Sequence, residues 1–252
     1  MKRKLKAILL DLDGTVYYGS RLIKGADQAV EYFRDHGIRV LFLTNNSTKT
    51  RKQIQEKLIG MGLECYEEEI YTSGYAAALY AGQMGYDRVY IFGTEALKME
   101  FRDAGIEVSD HAPVVVIGYD MGFDYRKLTD ALQAALHAAT IIACNTETHY
   151  PGENAMRMPG CGAMVGALEG SLGRKVDYIV GKPNTLLLNI ICEQQGLDKN
   201  EIMVVGDTYE SDIIMSREFG CRSVYIHPEE YSGAVTAISI KDIPAMLENN
   251  IL

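Results

Sequence analysis

Asp11 and Asp13 close an apolar run, Lys6-Ala-Ile-Leu-Leu-Asp-Leu-Asp-Gly-Thr15, with a single leucine between them. A strand-like run that ends on paired acids and a glycine sets negative charge where an α/β sheet opens to solvent. Continued as a strand, it would point both carboxylates to one side of the pleat. Like charges held that close call for a cation, so the pair suits a metal ion, a reactive carboxylate, or both.

Three further segments follow the same plan, an apolar run followed at once by small polar residues. Thr44-Asn45-Asn46-Ser47-Thr48 follows Val40–Leu43, Gly181-Lys182-Pro183-Asn184 follows Tyr178–Val180, and Gly206-Asp207-Thr208-Tyr209-Glu210-Ser211-Asp212 follows Ile202–Val205. In a parallel sheet all strand C-termini lie on one edge, so these loops are expected to converge on Asp11 and Asp13. Acids, hydroxyls, amides and one lysine then share a crevice. That inventory fits phosphoryl transfer, which needs a dianion held, its developing charge neutralised and a nucleophile in line. A carboxylate can be that nucleophile. Hard oxygen ligands favour Mg2+, for which Asp11 and Asp207 are the candidate ligands, with Asp212 beside them.

The elements that must position these loops read as alternating strands and helices. Strands are expected near 7–10, 39–43, 89–92, 114–117, 141–143, 178–180, 203–205 and 223–226. Helices are expected near 26–36, 50–59, 75–83, 96–103, 125–138, 163–172, 184–195 and 210–218. Gly37, Gly196 and Gly220 follow the expected ends of three helices. The pattern predicts an α/β protein with a doubly wound parallel sheet. Residues 147–162 break the alternation, as a functional loop does.

Composition narrows the setting. The 252 residues are 47% hydrophobic, enough for one large core or two smaller ones. No apolar stretch approaches the roughly 20 residues of a membrane span, and the basic start precedes only a strand-length run, so a cytoplasmic protein without a membrane partner is expected. Cys65, Cys144, Cys161, Cys192 and Cys221 are widely spaced and predict free thiols. His36, His111, His137, His149 and His227 show no metal spacing. A net charge of −9 argues against a nucleic-acid partner. A homodimer is compatible with the sequence, which leaves the oligomeric state open.

The ordered set Asp11-Leu-Asp13-Gly-Thr15, Thr44-Asn45-Asn46-Ser47, Gly181-Lys182-Pro183 and Gly206-Asp207…Asp212 resembles haloacid dehalogenase superfamily phosphatases, specifically the NagD/para-nitrophenyl-phosphatase-like branch. The resemblance implies an α/β core with an inserted α/β cap, placed as core 1–81, cap 82–178 and core 179–252. It implies a Mg2+-dependent phosphomonoester hydrolase acting through an aspartyl phosphate on a small phosphate ester: a sugar phosphate, a nucleoside monophosphate or para-nitrophenyl phosphate. On the family pattern Asp11 is nucleophile and metal ligand. Asp13 is general acid and base, its backbone carbonyl also on the metal. Thr44 and Asn45 bind the phosphoryl group, Lys182 neutralises it and steadies Asp11, Asp207 ligates the metal and Asp212 supports that shell. In the cap, Asn145, Glu147, His149 and Arg157 become substrate-specificity candidates.

The chain departs from the branch in places. Asn145-Thr-Glu147 stands where Asn-x-Asp is usual, and Thr208 and Ser211 replace the common residues of the last motif. Two relatives in chemistry are a phosphomutase of the same superfamily and a non-enzymatic phospho-accepting receiver, which would need neither Asp13 nor a cap. Gly160-Cys-Gly162 followed by Gly166 fails as a dinucleotide turn, in spacing and in lacking a preceding strand.

Overall fold

In the computed structural model, which describes residues 4–151 and 156–252, the expected alternation is present with added short strands. Strands run Ala7–Asp11 (β1), Tyr17–Tyr18 (β2), Arg21–Leu22 (β3), Arg39–Thr44 (β4), Ile70–Thr72 (β5), Arg88–Phe92 (β6), Glu107–Val108 (β7), Val114–Ile117 (β8) and Thr140–Ala143 (β9). They continue as His149–Pro151 (β10), Arg157–Pro159 (β11), Tyr178–Ile179 (β12), Ile202–Gly206 (β13), Arg222–Ile226 (β14) and Thr236–Ala237 (β15). Helices are Ala26–Asp35 (α1), Arg51–Gly60 (α2), Ser73–Gln83 (α3), Glu95–Asp103 (α4), Tyr125–His137 (α5), Cys161–Leu172 (α6), Leu186–Gln195 (α7), Ile214–Phe219 (α8) and Ile243–Glu248 (α9). The chain divides into two compact units: residues 1–44, 51–71 and 182–252 form the first, and residues 45–50 and 72–181 the second.

The first unit is built on a six-stranded sheet in the order β15-β14-β13-β1-β4-β5. Its central strand β1 pairs in parallel with β13 on one side and β4 on the other. A strand covered on both faces has to be apolar throughout, and Ala7, Ile8, Leu9 and Leu10 are all fully buried. The core against them includes Phe33, Val30, Phe42, Val205 and Ile243. Chain order reverses between β1 and β13, so the crevice beyond their carboxyl ends is where an open α/β sheet receives a ligand. The register sets Leu10 beside Val205 and Asp11 beside Leu43, so the residues next in line are Asp11, Gly206 and Thr44.

The second unit has its own parallel sheet, in the order β12-β9-β8-β6-β7. Its core joins Phe92, Val115, Ile117 and Ile141 to Ala131 and Ala135 of α5 and to Met164, Val165 and Leu168 of α6. Part of the stretch read as irregular is an antiparallel ribbon, in which His149 pairs with Pro159 and Tyr150 with Met158. Only three residues of each strand pair, too few for an alternation to stand out in sequence. Among the described residues no helix is long and apolar enough to cross a membrane. The five thiols are free, with Cys65, Cys144 and Cys161 buried.

Ile8 tests the dependence of the first unit on β1. Ile8→Ala is expected to cost about 2–5 kcal/mol, the range for emptying a packed core position. A lower urea midpoint at unchanged slope is the signature, and an unaltered midpoint would show that β1 is not central to the core.

Candidate active site

Asp11 is the last residue of β1 and lies buried at the carboxyl edge of the first unit's sheet. Here the expected geometry differs in one respect. The strand stops at Asp11, because the backbone turns: the Leu12 carbonyl accepts from the amides of Val16 and Tyr17, and Gly14 takes a φ of 84°. Asp13 therefore stands in different surroundings. Its Oδ2 accepts from the Tyr17 hydroxyl at 3.0 Å, and the Lys57 ammonium lies 3.6 Å from the centre of the Tyr17 ring. The Asp13 side chain is open at its surface, yet enough water is withdrawn from its carboxyl to raise its pKa, against the pull of Lys57, Tyr17 and Lys182.

Lys182 is the cation of the site. It is 4% exposed, and its Nζ donates to Asp11 Oδ1 at 2.5 Å and to Asp212 Oδ1 at 2.6 Å. Burial alone would discharge a lysine, but the two carboxylates outweigh it and hold the ammonium above its ordinary pKa. Asp212 has no solvent exposure, and its Oδ2 accepts from the Thr208 amide at 3.1 Å. It reaches this place because the segment expected as plain helix from 210 opens with a π-turn over Tyr209–Ile213, before α8. Such turns concentrate at functional sites. The Ser216 hydroxyl donates to the Asp212 carbonyl at 2.6 Å and ties the turn to the helix.

Asp207 follows β13 directly. Carboxylate oxygens of Asp11, Asp207 and Asp212 lie within 4.8 Å of one another. Three acids against one lysine leave an excess of negative charge, and the carboxyls register it. Burial raises Asp11 well above the carboxylate range; Lys182 opposes this, while Asp212 and Asp207 add to it. Burial, then Asp212, pushes Asp207 up to about 6 against Lys182. An all-oxygen donor set short of positive charge fits a hard divalent cation such as Mg2+. The Asp13 side chain is not part of that cluster. Thr44, at the end of β4, is buried.

Two glycines make this packing feasible. A Cβ on Gly206 would lie 2.3 Å from the Asp212 carboxylate, and one on Gly14 would lie 2.0 Å from Asp207 Oδ2. Gly14 also needs its positive φ, which side-chain-bearing residues resist.

The second unit contains the remaining candidates. Asn45 is buried, and its Nδ2 donates to Glu147 Oε1 at 2.8 Å. The Asn145 Nδ2 donates to the Asn45 carbonyl at 2.8 Å, and the Glu147 amide donates to Asn145 Oδ1 at 3.1 Å. His149 and Arg157 are not in this ring: the His149 Nδ1 lies 2.8 Å from Thr148 Oγ1, and Arg157 is an exposed residue of β11. The sequence pattern does not single out Tyr17, Lys57 or Ser73, whose hydroxyl donates to the Asn45 carbonyl at 2.8 Å. Tyr17 carries a local signal, four residues beyond Asp13 in a turn. Lys57 and Ser73 come from helices remote in sequence and carry none.

The chain matches a haloacid dehalogenase-like hydrolase family over residues 8–107 and a HAD-hydrolase-like family over residues 179–243. The sugar-phosphatase AraL of Bacillus subtilis is 34% identical over 257 residues, spanning 97% of this chain and 94% of that protein. An acid sugar phosphatase of Staphylococcus epidermidis is 36% identical over 242 residues, spanning 95% and 92%. Among solved structures, the 4-nitrophenylphosphatase of Thermotoga maritima superposes with a TM-score of 0.89 at 26% identity, covering 96% of this chain and 97% of that one.

Removing the lysine exposes what it balances. Lys182→Met leaves Asp11 and Asp212 unpaired in a buried place, and a loss of about 3–5 kcal/mol is expected. Urea unfolding without divalent cations measures it, with K182M/D212N recovering part of the loss. Equal midpoints for Lys182→Met and the unmodified chain would mean that the lysine has no net stabilising role.

Proposed function

We propose that this chain, which belongs to the haloacid dehalogenase-like hydrolases and is a phosphatase of their NagD/para-nitrophenyl-phosphatase branch, hydrolyses sugar phosphates through an aspartyl phosphate with Mg2+ as cofactor. The observation that carries the mechanism is the buried Asp11–Lys182–Asp212 array with Asp207 beside it. The substrate class rests on the sugar phosphatases that the chain matches along almost its whole length. Those relatives favour hydrolysis over phosphoryl transfer to a sugar and over a non-turning-over receiver. Para-nitrophenyl phosphate is the matching test substrate.

In this reading an Asp11 oxygen attacks phosphorus in line, the phosphorus–oxygen bond to the sugar breaks, and Asp13 gives its proton to the departing oxygen. Water then loses a proton to Asp13 and attacks phosphorus, releasing inorganic phosphate and restoring Asp11. A raised pKa keeps Asp13 protonated nearer to neutrality, as the first step requires. Asp11 has to be ionised to attack, and burial opposes that; Lys182 favours it directly. Thr44, Asn45 and Lys182 hold the phosphoryl oxygens. Asp11, Asp207 and the Asp13 carbonyl would hold Mg2+, with Asp212, both of whose oxygens accept hydrogen bonds, steadying Lys182 and the loop behind it. When bound, Mg2+ supplies charge neutralisation for the phosphoryl group and for the acids around it. His149 and Arg157 stay candidates for contact with the sugar.

Two variants test this assignment. Asp11→Asn is expected to lower kcat for para-nitrophenyl phosphate at least about a thousandfold in a protein that remains folded by circular dichroism; turnover within tenfold of the unmodified enzyme would sink the nucleophile assignment. Asp13→Asn should slow an alkyl sugar phosphate at least about tenfold more than the activated aryl ester, whose leaving group needs little protonation. Equal losses on the two esters would argue against Asp13 as the acid. Phosphate release across a panel of sugar phosphates and nucleoside monophosphates, with Mg2+ and with EDTA, measures substrate class and cofactor together.

A further inference from the structure

We propose that Asn145 and Glu147 are positioning residues for Asn45, holding its carboxamide for the phosphoryl group, and do not select the leaving group. The proposal rests on the reading of Asn45 as a phosphoryl ligand. It goes beyond that reading in assigning the second unit a part in phosphate binding itself.

The geometry is a closed ring. Glu147 accepts from the Asn45 side chain, its own amide donates to the Asn145 side chain, and Asn145 donates to the Asn45 backbone carbonyl. Side chain and backbone of Asn45 are thus held by one short segment. A carboxylate accepts and does not donate, so the bond to Glu147 can be made only by the amide nitrogen. The orientation of the carboxamide follows: its nitrogen is turned to the Glu147 carboxylate and its Oδ1 to Gly181. An ionised acceptor further polarises the amide.

The ring is itself fixed on three sides. The Glu147 carbonyl accepts from the Gly162 amide at 2.9 Å, at the start of α6. A Cβ on Gly160 would lie 2.2 Å from that same carbonyl, and one on Gly162 would lie 2.6 Å from the Thr146 carbonyl. The Gly160-Cys-Gly162 pair, which fails as a nucleotide turn, therefore serves to let the Glu147 backbone approach the helix. On the opposite flank a Cβ on Gly181 would lie 2.5 Å from Asn45 Oδ1. Ser47, two residues on, is buried and accepts from the Tyr119 amide at 2.9 Å. Segment 45–50 accordingly occupies the carboxyl edge of the second unit's sheet, beyond β8, β9 and β12, where a doubly wound fold ordinarily takes a ligand. Glu147 is exposed while Asn45 is buried, which suits an acceptor that orients a neighbour from the solvent side.

A double-mutant cycle on Asn45→Ala and Glu147→Leu tests the ring, with kcat/KM for para-nitrophenyl phosphate and for a sugar phosphate, and the inhibition constant of inorganic phosphate, read in each variant with its thermal midpoint. Glu147→Leu is expected to lower kcat/KM about tenfold and weaken phosphate inhibition by a similar factor, equally for both esters. In the Asn45→Ala background the same change should cost less than twofold, because its target is gone. Glu147→Gln, whose carbonyl oxygen still accepts, should recover most of the loss. Gly181→Ala, whose methyl would crowd Asn45 Oδ1, should reproduce the weakened phosphate inhibition without touching Glu147. Additive losses, or a loss that depends on the leaving group, would overturn the proposal and make Glu147 a specificity contact. An Asn45→Ala variant with undiminished kcat/KM and phosphate inhibition would remove the underlying reading and the proposal with it.

Discussion

A single buried ammonium governs the first unit's site. Lys182 donates to Asp11 and Asp212, both removed from water, with Asp207 close enough to feel the same field. One positive charge cannot neutralise three carboxylates. Burial raises the pKa of Asp11 and Asp207, and the neighbouring carboxylates add to it against Lys182, with a consequence for chemistry as well as for folding. A cluster of buried acids short of positive charge fits a hard divalent cation, which would supply the charge that the lysine alone does not. The apolar strands β1 and β13 are what make the charges matter, since they bring the acids to a place where water screens them poorly.

The motif glycines show why the four segments occur as a set. Gly14, from the first segment, clears space for Asp207 of the last; Gly206 clears space for Asp212 within the last; Gly181, beside Lys182, clears space for the Asn45 side chain of the second. Two of these three glycines thus serve a residue belonging to another segment. A methyl group at any of them would strike an oxygen of a functional side chain at 2.5 Å or less. The segments are interlocked sterically as well as through charge, and a substitution in one would displace chemistry supplied by another.

Much of this was legible beforehand, for identifiable reasons. Central strands such as β1, β8 and β13 are buried on both faces and so read as continuous apolar runs. The convergence of Asp11, Lys182, Asp207 and Asp212 followed from a rule about parallel sheets that needs no long-range information. Short elements were not legible. β7 and β15 hold two residues each, and β5 three, too few to stand out as strands in sequence, whereas the equally short β12 falls where a strand is expected. The turn at Leu12 was also hidden, because a leucine between two aspartates satisfies the strand pattern whether or not the strand continues. In sequence Glu147 is a longer acid where an aspartate is usual. Only the fold could show that its carboxylate meets Asn45, 102 residues earlier.

The division of the chain gives that contact its weight. The boundary between the compact units passes between Thr44 and Asn45 and again between Gly181 and Lys182, through the middle of two of the four segments. Thr44 ends β4 of the first unit and Lys182 is held there by Asp11 and Asp212, whereas Asn45 accepts hydrogen bonds from Ser73 and Asn145 and donates one to Glu147 in the second. Asn45 is thus anchored in the second unit, which has its own parallel sheet. An inserted unit that served only to choose a leaving group would have no need to secure the backbone and side chain of Asn45 at once. The investment of Asn145, Glu147 and Gly181 around that residue, with Gly160 and Gly162 packed under the Glu147 backbone, is intelligible if the second unit contributes to the reaction as well as to the choice of what reacts.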